Sequence, residues 1–168
     1  NSHNMVVLSD DWFANFNLEM RKDNSKLASS TGDDDASAIK VKLDWSNMFF
    51  MNKEKNKIVM SDLAYTINEA QGSNVDSNRV DMSGTYIAQW YWEMTYNTKI
   101  AYYRLNYPAK SDNRADNNFA LTAGLSKKLN ETWSSGLTAN YTINASNVDA
   151  NSYNKYSLML TLSAGQAF

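Results

Sequence analysis

The chain has 168 residues, a net charge of -2 and no cysteine, the size of a single domain. Charged residues make up 20%, with no basic excess to hold nucleic acid, and no disulfide framework, Cys-ligated zinc or thiol nucleophile is open to it. Mean hydropathy is -0.56 and no run of about 18 apolar residues offers a transmembrane helix. A strand-built membrane protein escapes that test, because alternating apolar and polar residues average out.

Residues 1–9 come first. Asn1-Ser2-His3-Asn4-Met5 reads as a cloning remnant and is set apart from the fold as a tail, with the only histidine, His3, inside it. From Trp12 the even positions are Trp12, Ala14, Phe16, Leu18 and Met20, and the odd ones include Asn15, Asn17, Glu19 and Arg21. A period of two is a strand with unlike faces. After a polar stretch, Ile39, Val41, Leu43 and Trp45 alternate with Lys40, Lys42 and Asp44. Val59, Leu63, Tyr65 and Ile67 then alternate with Asp62, Thr66 and Asn68. The fourth segment sets Val80, Met82, Tyr86, Ala88, Trp90 and Trp92 against Arg79, Asp81 and Glu93.

A tight turn is expected at Tyr96-Asn97-Thr98. Beyond it Ala101, Tyr103, Leu105 and Tyr107 are read as one face, with Tyr102, Arg104 and Asn106 on the other, up to Pro108. Phe119, Leu121, Ala123 and Leu125 follow, then Trp133, Leu137, Ala139, Tyr141 and Ile143, then Tyr156, Leu158, Leu160, Leu162 and Phe168. The reading is eight strands, at 12–21, 38–49, 58–68, 79–94, 100–107, 119–128, 133–143 and 156–168, in one domain spanning 10–168. The charged parity holds Glu19, Arg21, Lys40, Lys42, Asp44, Asp62, Arg79, Asp81, Glu93, Arg104 and Lys128; the apolar parity holds only Lys127.

Three features place the apolar parity outside, facing lipid. Long connections (22–37, 69–78, 108–118 and 144–153) alternate with short turns, as in outer-membrane barrels. Apolar-face aromatics gather into two girdles, which suits the two interfaces of a bilayer. Trp12, Trp45, Phe49, Trp90, Trp92, Trp133 and Phe168 are assigned to the periplasmic rim, and Tyr65, Tyr107, Phe119, Tyr141 and Tyr156 to the outer rim. The polar parity of the last three strands is small, from Ala120, Thr122 and Gly124 to Ser163 and Gly165, leaving room for long side chains opposite.

The chain therefore resembles the small eight-stranded outer-membrane β-barrels of the OmpA/OmpX type. The resemblance rests on strand count, loop asymmetry and the closing segment Tyr156-Ser-Leu-Met-Leu-Thr-Leu-Ser-Ala-Gly-Gln-Ala-Phe168. It implies an all-β, eight-stranded antiparallel up-and-down transmembrane β-barrel, a monomer in the bacterial outer membrane with both termini periplasmic. It further implies export on a removed signal peptide and delivery by the outer-membrane assembly machinery through the last strand.

The candidate site is a lumen charge network of Glu19, Lys40, Lys42, Asp44, Asp62 and Arg104, whose charges are expected to pair because unpaired charge in a low dielectric is costly. Lys57, Lys99 and Lys127 are placed near the periplasmic rim, stems along the barrel. Asp33-Asp34-Asp35 could meet a hard cation, but lacks EF-hand spacing and is read as a solvated loop. No serine has a basic partner, and with histidine confined to the tail no catalytic residues, metal or cofactor are assigned. The leading expectation is a non-enzymatic envelope anchor or loop platform with a filled lumen. The alternatives are a narrow solute or ion pore constricted at Lys42, Asp62 and Arg104, and adhesion through the long loops.

Overall fold

The computed structural model describes residues 2–23, 37–70, 72 and 74–165. They form a single all-antiparallel sheet of nine strands in sequence order. The strands are β1 (Ser2–Ser9), β2 (Trp12–Asp23), β3 (Ala38–Phe50), β4 (Lys57–Ala70), β5 (Ser77–Trp90), β6 (Met94–Asn106), β7 (Ala115–Lys128), β8 (Trp133–Ser146) and β9 (Tyr153–Ala164). Each pairs only with its chain neighbours, so β1 and β9 are free edges and the sheet is not closed. The architecture is the expected up-and-down all-β one. The count of eight and the closure are corrected.

The additional strand is β1, in the segment set aside as a tail. It pairs with β2 from Ser2–Leu18 to Ser9–Trp12, with an irregularity between Val7 and Ser9. It escaped the alternation because Met5, Val6, Val7 and Leu8 are apolar without period. An odd count also separates the ends. Ser2 lies at the edge that carries the 24–37 connection and Ala164 at the opposite edge, so the two do not share the short-turn end.

Strand pairing fixes the faces, since directly opposed residues share one. One face carries Leu18–Leu43–Tyr65–Val80, a ladder that continues to Arg104, and Tyr102–Phe119–Ile143. The other face carries Glu19–Lys42–Thr66–Arg79 and Asn17–Asp44–Ala64–Asp81. That charged face is concave, because β3 through β7 together line one cavity on it.

In β6 the expected faces are exchanged. The turn is at Tyr91–Glu93, not at Tyr96-Asn97-Thr98, which lies within the strand. Trp90 pairs with Met94, so even-numbered residues keep the apolar face across the turn. Ile100 thus joins Gly84 and Leu121, Tyr102 joins Met82 and Phe119, and Arg104 joins Val80 and Asn117. Ala101, Tyr103 and Leu105 point to the charged face with Ser83, Asp81 and Arg79. The true turn has no Gly, Asn or Pro to announce it. It holds Trp92 and Glu93 at φ 60° and 56°, a region non-glycine residues seldom visit.

Several strands outrun their expected limits. β7 begins at Ala115 because Asp116-Asn117-Asn118 continues the ladder on polar residues. The connections shorten in step, to 71–76, 107–114 and 147–152 on one side, against 10–11, 51–56, Tyr91–Glu93 and 129–132 on the other. The asymmetry survives with less contrast.

Burial runs opposite to that of a water-soluble domain. Among the described residues the buried hydrophobic ones are Ala38, Ala64 and Ala88, whereas Asp116, Asn118 and Asn144 are 3%, 6% and 5% exposed. Among the described residues no large side chain is fully buried, while Leu137, Leu63, Trp45 and Ile100, on strands paired on both sides, stand 44%, 46%, 50% and 51% exposed.

Candidate functional site

The charged face encloses an open-mouthed cavity of about 710 Å³. Lys40, Lys42 and Asp44 of β3, Asp62 of β4, Arg79 and Asp81 of β5, and Lys99, Ala101 and Tyr103 of β6 line it, with Asn118 and Ala120 of β7. The structure thus gathers Lys40, Lys42, Asp44 and Asp62 around one cavity. Glu19 shares their face, opposite Lys42. Arg104 does not join them. It is exposed on the apolar face and donates from Nε to Asn106 Oδ1 at 3.1 Å. The arginine of the cavity is Arg79.

The ion pairs follow one rule. Lys42 Nζ lies 2.8 Å from Asp44 Oδ1, Arg79 pairs with Asp81, Arg21 with Asp23 at 2.6 Å, and Arg114 with Asp116 at 2.6 Å. In each the base stands two residues before the acid. Residues i and i+2 share a face, so a long basic side chain folds along its own strand onto the short aspartate. These pairs neutralise charge locally and do not staple strand to strand.

Amides and hydroxyls do the cross-strand work. Asn17 Nδ2 donates to Asp44 Oδ2 at 3.3 Å and Ser83 Oγ to Asp62 Oδ2 at 2.7 Å. Thr122 Oγ1 donates to Asn140 Oδ1 at 2.8 Å, and Asn140 Nδ2 to Ser157 Oγ at 3.2 Å. Asn118 Nδ2 donates to Asn144 Oδ1 at 3.2 Å. Asn17 Oδ1 is buried without a protein partner, beside a 290 Å³ pocket.

At the 107–114 end the cavity meets aromatic rings. The Arg79 guanidinium lies 4.0 Å from the Tyr103 ring centre, and Arg114 and Lys110 lie 5.1 and 5.7 Å from that of Tyr107. The hydrogen bonds that the Arg114 guanidinium donates to the Asp116 carboxylate hold Arg114 above its ordinary pKa. Tyr107, just beyond β6, therefore packs against the cations of the 107–114 connection and is not the residue paired with Phe119. Tyr102 takes the girdle position instead, paired with Phe119, its hydroxyl donating to Asn117 Oδ1 at 2.8 Å. The recurring basic-x-Asp spacing was the available signal for the Arg79–Asp81 and Arg114–Asp116 pairs.

On the apolar face Tyr65, Phe119, Tyr141 and Tyr156 lie toward the long-connection edge, a few residues inside their strand ends. Trp12, Trp90 and Trp133 stand at strand ends on the opposite edge, and Trp92 in the turn beyond. Trp45 lies five residues inside the Phe50 end of β3, paired with Phe16 and Leu63, as far from its strand end as Tyr65 is from Ala70. Lys57 and Lys127 are exposed on this face at the short-turn edge, but Lys99 is on the other, lining the cavity. Phe168, Asp33, Asp34, Asp35 and the His3 side chain lie outside the described residues. Among the described residues no group of three or more His, Asp and Glu could hold a metal ion.

Comparison with protein families, with curated proteins and with solved structures finds no match.

Proposed function

We propose that this chain is a transmembrane β-barrel protein of a bacterial outer membrane, its apolar face in lipid and its charged face around a polar interior. The carrying observation is the inverted burial: Asp116, Asn118 and Asn144 are covered while leucines, tyrosines and tryptophans face out. In water those exposed residues would be an aggregation patch; in a bilayer each large apolar side chain gains about 1.5–3 kcal/mol. Strand lengths of 12–14 residues for β2–β9 exceed the 9–11 or so that a tilted strand needs to cross. From Trp133 to Tyr141 is ~27 Å of strand, or ~20 Å at a tilt of about 40°, close to the expected apolar band. Lipid tolerates no open sheet edge, so in the membrane β1 and β9 must find partners, and the outer-membrane assembly machinery would engage the chain at β9.

The chemistry of the interior favours passage over catalysis. Asp44 and Asp81 are each tied to a base two residues away, so neither stands as an unpaired carboxylate in the cavity. The 710 Å³ of space among charged walls favours a narrow solute or ion pore over a filled platform. The test is reconstitution of the detergent-purified chain. Brominated lipids should quench tryptophan strongly, and planar bilayers should show steady unitary conductance. A chain monodisperse without detergent and unquenched would refute the membrane reading. A quenched chain that never conducts would restore the closed platform.

A further inference from the structure

The geometry points to an interior selective for small inorganic and carboxylate anions, an inference that rests on the pore reading. The i to i+2 pairs cancel Lys42 with Asp44 and Arg79 with Asp81. Lys40 and Lys99, also in the cavity wall, have no ion-pair partner among the described residues. Lys155 shares their face through its ladder with Thr142 and Ala120, and Lys128 does so through Ser134 and Ser163. Against these four cations stand two unpaired acids of the same face, Glu19 and Asp62, the latter already accepting from Ser83 at 2.7 Å. The excess inside is positive although the whole chain carries -2. A confined cationic wall raises the local concentration of anions and rejects cations. Composition alone predicts the opposite sign.

The experiment is the reversal potential of the full chain in planar bilayers across a tenfold KCl gradient, kept near 0.1 M or below so that screening stays at about 10 Å. The wild type should pass chloride in preference to potassium. Lys99→Glu should lower the chloride-to-potassium permeability ratio by roughly fivefold, the opposite effects on the two ions of reversing one charge about 8 Å away at the dielectric of water, screened over about 10 Å. Lys99→Gln should give about half that shift on a logarithmic scale, which keeps the test readable if the glutamate variant folds badly. Lys57→Glu, on the apolar face, should leave the ratio unchanged. Cation preference in the wild type, or a ratio indifferent to Lys99, overturns the anion assignment while the pore stands. Absence of any conductance overturns the pore reading and the inference with it.

Discussion

Ile100 and Ala101 are adjacent in β6 and face opposite ways, so one arginine scan across them tests the architecture. Ile100 is 51% exposed and shares its ladder with Gly84 and Leu121, near mid-strand on the apolar face. An arginine there must enter hydrocarbon. Lipid-facing arginine near the midplane costs about 2–4 kcal/mol, a factor of roughly 30 to 900 in the folding equilibrium. Ala101 lies between Ser83 and Ala120 and lines the 710 Å³ cavity. An arginine there enters polar space within reach of Asp62 and should cost under about 1 kcal/mol, the scale of an unstrained polar-surface change. The assay is reversible urea unfolding from liposomes, followed by tryptophan fluorescence. The alternation read from sequence alone, with Ala101 outward, gives the reverse order. If Ala101→Arg were the more damaging, the register of β5 with β6 and the placement of Arg104 would both fall. Equal small effects would refute the lipid-facing surface.

Other outcomes follow from local geometry. A side chain added at Gly124 runs into the Asn97 carboxamide, so Gly124→Val should cost about 1–3 kcal/mol by overpacking; Gly84→Ala, with nothing within 4 Å, should be neutral or stabilising in the same unfolding titration. Asp116→Ala strips Arg114 of a partner whose side chain is only 4% exposed and should cost about 3 kcal/mol or more. Asp23→Ala, at the open Arg21 pair where the side chains are 58% and 33% exposed, should cost less than about 1 kcal/mol; similar losses at the two sites would contradict the burial difference. Glu93→Gly removes a left-handed residue at φ 56° and should raise stability by about 1 kcal/mol, seen as a higher urea midpoint with unchanged slope.

Much of the site was legible because a strand has a strict period. Lys40, Lys42, Asp44 and Asp62 could be put on one face from spacing alone, and the structure brings them to one cavity. Arg104 failed for a reason of the same kind. A period of two carries no memory across a turn, and the Tyr91–Glu93 turn is built from residues that read as more strand. One misplaced turn inverted all of β6. Tyr107 was read on the apolar face for the same reason, in line with Leu105, which pairs with Arg79. The pairing of charges was foreseeable, but its geometry was not. Cross-strand opposition of Glu19 and Lys42 competes with the shorter reach from Lys42 to Asp44 along one strand, and the nearer aspartate wins at 2.8 Å.

By itself the sequence determined an all-β chain with antiparallel up-and-down order, two chemically opposed faces, and the residues of each face within most strands. Alternation and turn chemistry are local and need no partner to be read. Only the tertiary structure decided the number of strands, the register across the Tyr91–Glu93 turn, the four i to i+2 ion pairs and the open cavity. Those depend on which backbone hydrogen bonds close between distant segments, and β1 shows why: Met5, Val6, Val7 and Leu8 carry no period, and become a strand only because β2 offers them a free edge.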